Sequence, residues 1–225
     1  MQKQNTLHVF SNSDKKWHEK WSKRRNLCNI PHPFRALIIG VPNCGKTSTA
    51  KNLVVFQDPP FEEIIIVHVD HSENGSNEWA DCDPTEILDD IPGFDLYDKD
   101  TKRLLIFEDV WITKLNIERQ KLIDRWWGYG STHKNTSIIL CQQNPGSIPT
   151  TIRQMANLYI LWKRPDMRSL NDYASRMGLE NGEIKKLMDK HCKEVHDSIW
   201  LDRTDKTPAP LRLNCFEKIQ RECLS

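Results

Sequence analysis

Hydrophobic residues in this chain fall into short dense blocks, separated by stretches whose apolar positions recur at helical spacing. Ala36-Leu-Ile-Ile-Gly40 is an apolar run ending in glycine, which predicts a buried strand, and Lys46–Val55 follows as a helix. Glu63-Ile-Ile-Ile-Val-His-Val69 is dense in β-branched residues and predicts a second buried strand. Residues 70–100 are polar and acidic, interrupted by Pro84, Pro92 and Gly93, and read as a long excursion with one short helix at Thr85–Asp90. Strands are then predicted at Arg103–Phe107, Ser137–Cys141, Leu158–Trp162 and Ser198–Leu201, with helices at Leu115–Trp127, Asp166–Arg176 and Gly182–His191. Alternating strands and helices imply an α/β fold, a mainly parallel β-sheet sandwiched between helices. No internal repeat or low-complexity segment interrupts it.

At 225 residues the chain can bury one good core. The expected organisation is a basic, Trp-containing arm at 1–30, one domain at 31–203 and a C-terminal tail at 204–225. No apolar run reaches the ~18 residues of a membrane span, and the N-terminus lacks the apolar stretch of a secretory signal. A formal net charge of +1 conceals segregation: residues 1–35 carry eight Lys/Arg against two acids, residues 58–109 three against sixteen. The arm places Trp17 and Trp21 among Lys15, Lys16, Lys20, Lys23, Arg24 and Arg25. That pattern suits contact with nucleic acid or another subunit, and equally a solvated leader. Seven cysteines without a C-x-x-C pair read as reduced thiols of an intracellular protein. His191–Cys192…His196 lacks a second cysteine pair at ligand spacing and reads as a helix surface rather than a zinc site.

One motif changes the picture. Gly40-Val41-Pro42-Asn43-Cys44-Gly45-Lys46-Thr47 matches G-x-x-x-x-G-K-[ST] in full, with Ser48 next, between an apolar strand and a helix. Glycines let such a loop wrap so that successive backbone N–H groups point at phosphate oxygens, and the helix directs its positive end at the same anion. Lys46 is the candidate for the β/γ oxygens and Thr47 for Mg²⁺, which makes ATP with Mg²⁺ the expected ligand pair. Leu104-Leu-Ile-Phe-Glu108-Asp109 is the expected partner, a Walker B strand delivering acids to the metal. One acid should hold Mg²⁺ and the other polarise the attacking water, in an order the residues leave open because the usual Asp-Glu is reversed. A strand between the phosphate-loop helix and the acidic strand, with Gln142-Gln143-Asn144 ending the next one, suggests the additional-strand ATPases with a catalytic acid. No N-K-x-D segment follows, which argues against a GTPase.

These residues resemble a known family. Gly130-Ser-Thr-His133-Lys-Asn-Thr-Ser137-Ile-Ile-Leu-Cys-Gln-Gln143, followed by Ile148-Pro149-Thr-Thr-Ile152-Arg153, is similar to the genome-packaging ATPases of large DNA viruses and virophages, of the FtsK/HerA superfamily and poxvirus type. With both Walker motifs the resemblance spans roughly residues 34–163. It implies a P-loop fold, a homo-oligomeric ring, translocation of double-stranded DNA into a capsid, contact with a capsid or portal protein, and a place in the virion or at a virus-assembly site in cytoplasm or nucleus. It implies Gln143 as γ-phosphate sensor and Arg153, ahead of Arg125, as the arginine that reaches a neighbour's nucleotide. The family's G-R-H arginine is Thr132 here, so any role it carries is absent or moved. A superfamily 3-like helicase would also carry both Walker motifs, but 35 residues before the domain leave no room for its usual upstream domain. A nucleotide-dependent scaffold is opposed by the intact Lys46, Thr47, Glu108 and Asp109. Trp126, Trp127 and Trp162 suit core or interface packing better than base stacking.

Overall fold

The computed structural model describes residues 27–68, 78–205 and 211–219, so most of the basic arm, with Trp17 and Trp21, lies outside the described residues. The strands are β1 (Arg35–Ile39), β2 (Glu63–His68), β3 (Glu86–Leu88), β4 (Arg103–Glu108), β5 (Thr136–Gln142), β6 (Leu158–Trp162), β7 (Ser198–Asp202), β8 (Leu211–Leu213) and β9 (Glu217–Lys218). They form one sheet in the order β3-β2-β4-β5-β1-β6-β7-β8-β9. The first six of that order run parallel, and β7, β8 and β9 each pair antiparallel with the strand before them. The helices are α1 (Lys46–Val55), α2 (Ile117–Arg125), α3 (Thr150–Met155), α4 (Asn171–Ser175) and α5 (Glu183–His191).

Because side chains alternate across a strand, the continuous apolar runs supply two cores, one per face. Ala36, Ile38, Ile64, Ile66, Leu104, Ile106 and Ile139 pack with Ala50, Leu53 and Val54 of α1. Leu37, Ile39, Leu105, Phe107 and Leu140 pack on the other face with Ile123 of α2, Ile152 of α3, Tyr173 of α4 and Ile184 of α5. Trp126 and Trp127 are wholly buried in that second layer, and the Trp126 indole N–H donates to the Pro92 carbonyl at 2.8 Å. They are core residues in this fold.

β5 separates the phosphate-loop strand β1 from the acidic strand β4. Its register sets Gln142 beside Ile39 and Cys141 beside Glu108. The additional-strand arrangement is therefore present, and it gathers the carboxyl ends of β1, β5 and β4 along one edge of the sheet, where ligands of open α/β sheets bind.

Four segments differ from the pattern-based expectation. Thr85–Asp90 is not a helix. Glu86–Leu88 pairs parallel with Ile65–Val67, and Thr85 exchanges hydrogen bonds with Ile64 through its backbone N–H (2.8 Å) and its hydroxyl (3.0 Å). The open edge of β2 offers backbone partners that a short polar helix cannot match. The helix expected at Leu115–Trp127 starts later, at Ile117, because the Asn116 side chain caps it by accepting from the Arg119 N–H at 2.9 Å, and it ends in a π-turn at Trp126–Gly130. Asp166–Arg176 begins as a 3-10 turn at Met167–Leu170. Finally, the sheet does not end at 203, since β8 and β9 extend it. At its root the buried Arg212 guanidinium meets Asp202 at 3.1 Å and donates to the carbonyls of Cys28 (2.5 Å) and Cys215 (3.0 Å). Cys28 and Ile30 are themselves buried, so the packed unit also begins before residue 31.

Candidate active site

Backbone conformation builds the phosphate loop. β1 ends at Ile39, and the Gly40 N–H bonds the Gln142 carbonyl at 3.2 Å. A side chain on Gly40 would place its Cβ 2.3 Å from the Cys44 Sγ and 3.2 Å from Trp162, so the loop closes only over glycine here. Asn43 (φ 59°) and Gly45 (φ 107°) take left-handed conformations, which asparagine tolerates and glycine adopts freely. α1 then starts at Lys46, and its opening N–H groups lack intrahelical acceptors and face the loop's concavity. The Lys46 ammonium folds onto the Val41 carbonyl at 3.1 Å.

Residues distant in sequence brace this loop. His196 bonds the Cys44 carbonyl through Nδ1 at 3.1 Å; a carbonyl only accepts, so Nδ1 carries the proton. The Trp162 indole N–H donates to the His196 carbonyl at 3.1 Å. The loop, Glu78, Trp162 and His196 enclose a cavity of about 510 Å³. A second cavity of about 360 Å³ shares Thr49 and His196 with it and is walled by Asn52, Phe56, Trp200, Asn214 and Phe216.

The acids stand across from the loop. Glu108 is the last residue of β4 and buried. Its Oε1 accepts from the Thr47 hydroxyl at 2.5 Å and its Oε2 from the Trp79 indole N–H at 2.5 Å. Burial pushes its carboxyl above the usual glutamate range, while the Thr47 and Trp79 hydrogen bonds pull the other way. Asp109 follows with φ at 50°, and its N–H bonds the Cys141 carbonyl at 3.1 Å. The turn aims its side chain at Gln143, whose amide donates to Asp109 Oδ2 at 2.9 Å, while Oδ1 is buried without a hydrogen-bond partner. A left-handed aspartate with an orphaned oxygen is the kind of cost that structures retain at reactive sites. Thus the longer acid reaches the Thr47 hydroxyl, and the shorter one faces Gln143.

Of the two glutamines ending β5, Gln142 serves the fold: it is buried and its amide donates to the Val110 carbonyl at 2.6 Å. Gln143 faces the site, and Arg164 donates to its carbonyl at 3.0 Å. Arg153 lies apart from the loop, on α3. It pairs with Asp172, donates to the Thr150 hydroxyl at 3.0 Å, and stands over the Tyr173 ring. Arg176 meets the same carboxylate at 3.2 Å, so two guanidinium groups share one acid. Arg125 is bound at both ends of its fork by Asp95, at 2.7 and 2.8 Å, and Thr132 caps the Tyr129 carbonyl at 3.3 Å.

Sequence reading missed His68, Glu78, Trp79, Trp162 and His196. Trp79 left one visible signal, a lone large apolar residue in an acidic stretch, and His68 another, a polar residue ending an isoleucine-rich strand. His191, Cys192 and His196 do not converge, since His196 serves the phosphate loop and Cys192 is buried beyond α5.

No family model matches the chain, and no curated protein matches it. Solved structures do. The DNA-packaging ATPase B204 of Sulfolobus turreted icosahedral virus superposes with a TM-score of 0.58 over 81% of this chain and 97% of that one, at 14% identity. The chain shares the P-loop NTPase fold of that structure. B204 from Sulfolobus turreted icosahedral virus 2 in complex with AMPPCP gives 0.56 at 14% identity, over 80% of this chain and 96% of that one. The pCW3 conjugation coupling protein TcpA with ATPγS gives 0.53 at 10% identity, over 76% of this chain and 59% of that one. Among the described residues no helix is long and apolar enough to cross a membrane.

Proposed function

We propose that this chain hydrolyses ATP with Mg²⁺ and couples the reaction to movement of double-stranded DNA into a viral capsid, working as a homo-oligomeric ring that docks on a capsid or portal protein. The observation that carries the reading is the quartet Thr47, Glu108, Asp109 and Gln143, assembled from α1, β4 and β5 at the mouth of the phosphate loop. The oxygen donors fit a hard divalent cation: a hydroxyl and a carboxylate in contact, with the orphaned Asp109 Oδ1 at the end of the same strand. Thr47 and Glu108 would hold Mg²⁺, which neutralises phosphate oxygens as charge develops on them.

The chain's own groups supply the rest. Backbone N–H groups of the loop after Gly40, from Val41 and Asn43 through Cys44 and Gly45 to Ser48, cradle the phosphates, and Lys46 leaves the Val41 carbonyl for the β/γ oxygens. Asp109 takes the proton of the attacking water through its carboxylate, and Gln143 orients that water and reports the γ-phosphate. The smaller cavity beyond Thr49 and His196 accommodates the nucleoside, between Phe56 and Phe216. Arg153 is the residue for a neighbouring subunit's nucleotide. Sharing Asp172 with Arg176 leaves that patch one positive charge in excess, so Arg153 can exchange its partner for a phosphate without stranding the acid.

The test is ATP turnover with and without double-stranded DNA, followed by mixing of inactive variants. Arg153→Ala should bind ATP and hydrolyse it poorly. Mixing it with Lys46→Ala should restore activity, because a Lys46→Ala subunit still offers Arg153 to its neighbour. No recovery in oligomers shown by light scattering to be mixed would remove the shared site, and with it the ring.

A further inference from the structure

We infer that His68, Glu78 and Glu108 form a binding site for a transition-metal dication of the Zn²⁺ class, distinct in its donor set from the Mg²⁺ site and sharing one carboxylate with it. The imidazole and the two carboxylates each offer a ligand atom, and these atoms all lie within 4.8 Å of one another.

Three elements build the cluster. His68 and Glu108 are in-register partners on adjacent parallel strands, β2 and β4, so both side chains leave the same end of the sheet on the same side, with His68 Nε2 3.9 Å from Glu108 Oε2. Glu78 arrives from the segment before β3. Its position is fixed by the next residue, Trp79, which is wholly buried and donates its indole N–H to that same Glu108 oxygen. The Glu108 carboxylate is thus oriented from two sides, by Thr47 on Oε1 and Trp79 on Oε2, as ligand carboxylates in metal sites are. Two acids converge here, while the nearby ammonium groups are engaged elsewhere: Lys46 on the Val41 carbonyl, Lys51 on Asp81 at 3.3 Å.

The donor set selects the metal. Mg²⁺ favours all-oxygen shells, whereas imidazole with carboxylates suits Zn²⁺, Co²⁺ and their neighbours, which also bind such ligands more tightly. In a tetrahedral Zn²⁺ shell with ligand bonds of ~2.0–2.1 Å, ligand atoms stand about 3.3 Å apart. The cluster must therefore contract, by about 0.6 Å between His68 and Glu108 through small side-chain rotations and by up to about 1.5 Å for the exposed Glu78 side chain. A cation held there recruits the carboxylate that Thr47 orients, so the two metals compete for Glu108. This last step rests on the Mg²⁺-ATP reading above, whereas the binding itself does not.

The experiment titrates nucleotide-free protein with Zn²⁺ by calorimetry, and with Co²⁺ by visible absorption. One equivalent should bind, with a four- or five-coordinate Co²⁺ spectrum containing no thiolate band. His68→Ala and Glu78→Gln should each weaken binding at least tenfold. Glu78 is exposed, so Glu78→Gln tests the site even if His68→Ala fails to fold. Cys192→Ala should leave binding unchanged. Equal Zn²⁺ affinity in wild type and Glu78→Gln, or a thiolate band removed by Cys192→Ala, would overturn the site. In the turnover assay with excess Mg²⁺, Zn²⁺ should inhibit wild type at concentrations at least tenfold below those needed for Glu78→Gln. Metal binding without any ATP turnover would count against the proposed function alone, and turnover without metal binding against this inference alone.

Discussion

Gly40→Ala is a small perturbation that the structure makes severe. Gly40 does not adopt a left-handed backbone, so alanine is conformationally acceptable and the whole penalty is steric. The new methyl would sit 2.3 Å from the Cys44 Sγ, where ordinary contacts are ~3.5–4.0 Å, with Trp162 at 3.2 Å closing the other side. Cys44 is buried, so its sulfur is hemmed in by neighbouring atoms. Relief must come from shifting the loop, an overpacking cost of ~1–3 kcal/mol. On the proposed reading, in which the loop's N–H groups cradle the phosphates, nucleotide affinity should fall at least tenfold, about 1.4 kcal/mol. Cys44→Ala removes the sulfur and on its own costs about 1 kcal/mol, near the value of one buried methylene. The double variant Gly40→Ala/Cys44→Ala should then be little worse than Cys44→Ala alone, with a favourable coupling of ~1–2 kcal/mol. Urea denaturation of the four proteins, with binding of a fluorescent ATP analogue to each, gives both quantities. A Gly40→Ala variant that binds as wild type does, or a double variant as damaged as the sum of the singles, would refute the packing account of the loop.

Two further outcomes follow from the same contacts. Asp202→Ala leaves the buried Arg212 guanidinium without its carboxylate, and should lower stability to urea by ~3–5 kcal/mol; a loss below ~1 kcal/mol would show that the C-terminal hairpin is not anchored there. Hydrogen bonds from the Thr101 and Asp100 backbones and the Thr101 hydroxyl, with Arg103 nearby, hold the Asp98 carboxyl well below the usual aspartate range. A depressed folded pKa adds stability that is complete above the unfolded pKa and disappears as pH falls through the folded one, so the gap between wild type and Asp98→Asn should be full at pH 6 and close below pH ~4. A gap independent of pH would remove the ionised carboxylate as its cause.

The phosphate loop and the acidic strand were legible in sequence because their chemistry is local. Gly40–Thr47 is contiguous, and Leu104–Asp109 carries its apolar run and its two acids together. The order of strands was not legible, since periodicity reports burial and not neighbours; that β5 sits between β1 and β4 is a tertiary fact. For the same reason the sequence left open which acid meets Thr47 and which meets Gln143; the hydrogen bonds put Glu108 at the first and Asp109 at the second. Trp79 and His196 act on the site from 29 residues before Glu108 and 152 after Cys44. No short-range pattern encodes such contacts. The Thr85–Asp90 segment failed for a related reason: its partner, the free edge of β2, is invisible to local propensity.

The central claim is that Asp109 acts on water while Glu108 and the phosphate loop hold Mg²⁺-ATP. Rapid-quench turnover of purified wild type and Asp109→Asn, with nucleotide affinity measured on the same samples, tests it most directly. Asp109→Asn should bind Mg²⁺-ATP within a few-fold of wild type and hydrolyse it at least ~100-fold more slowly, the scale at which a positioned general base acts. Hydrolysis by Asp109→Asn at the wild-type rate, or loss of ATP binding in place of turnover, would contradict the assignment of Asp109 as the group that takes the water's proton.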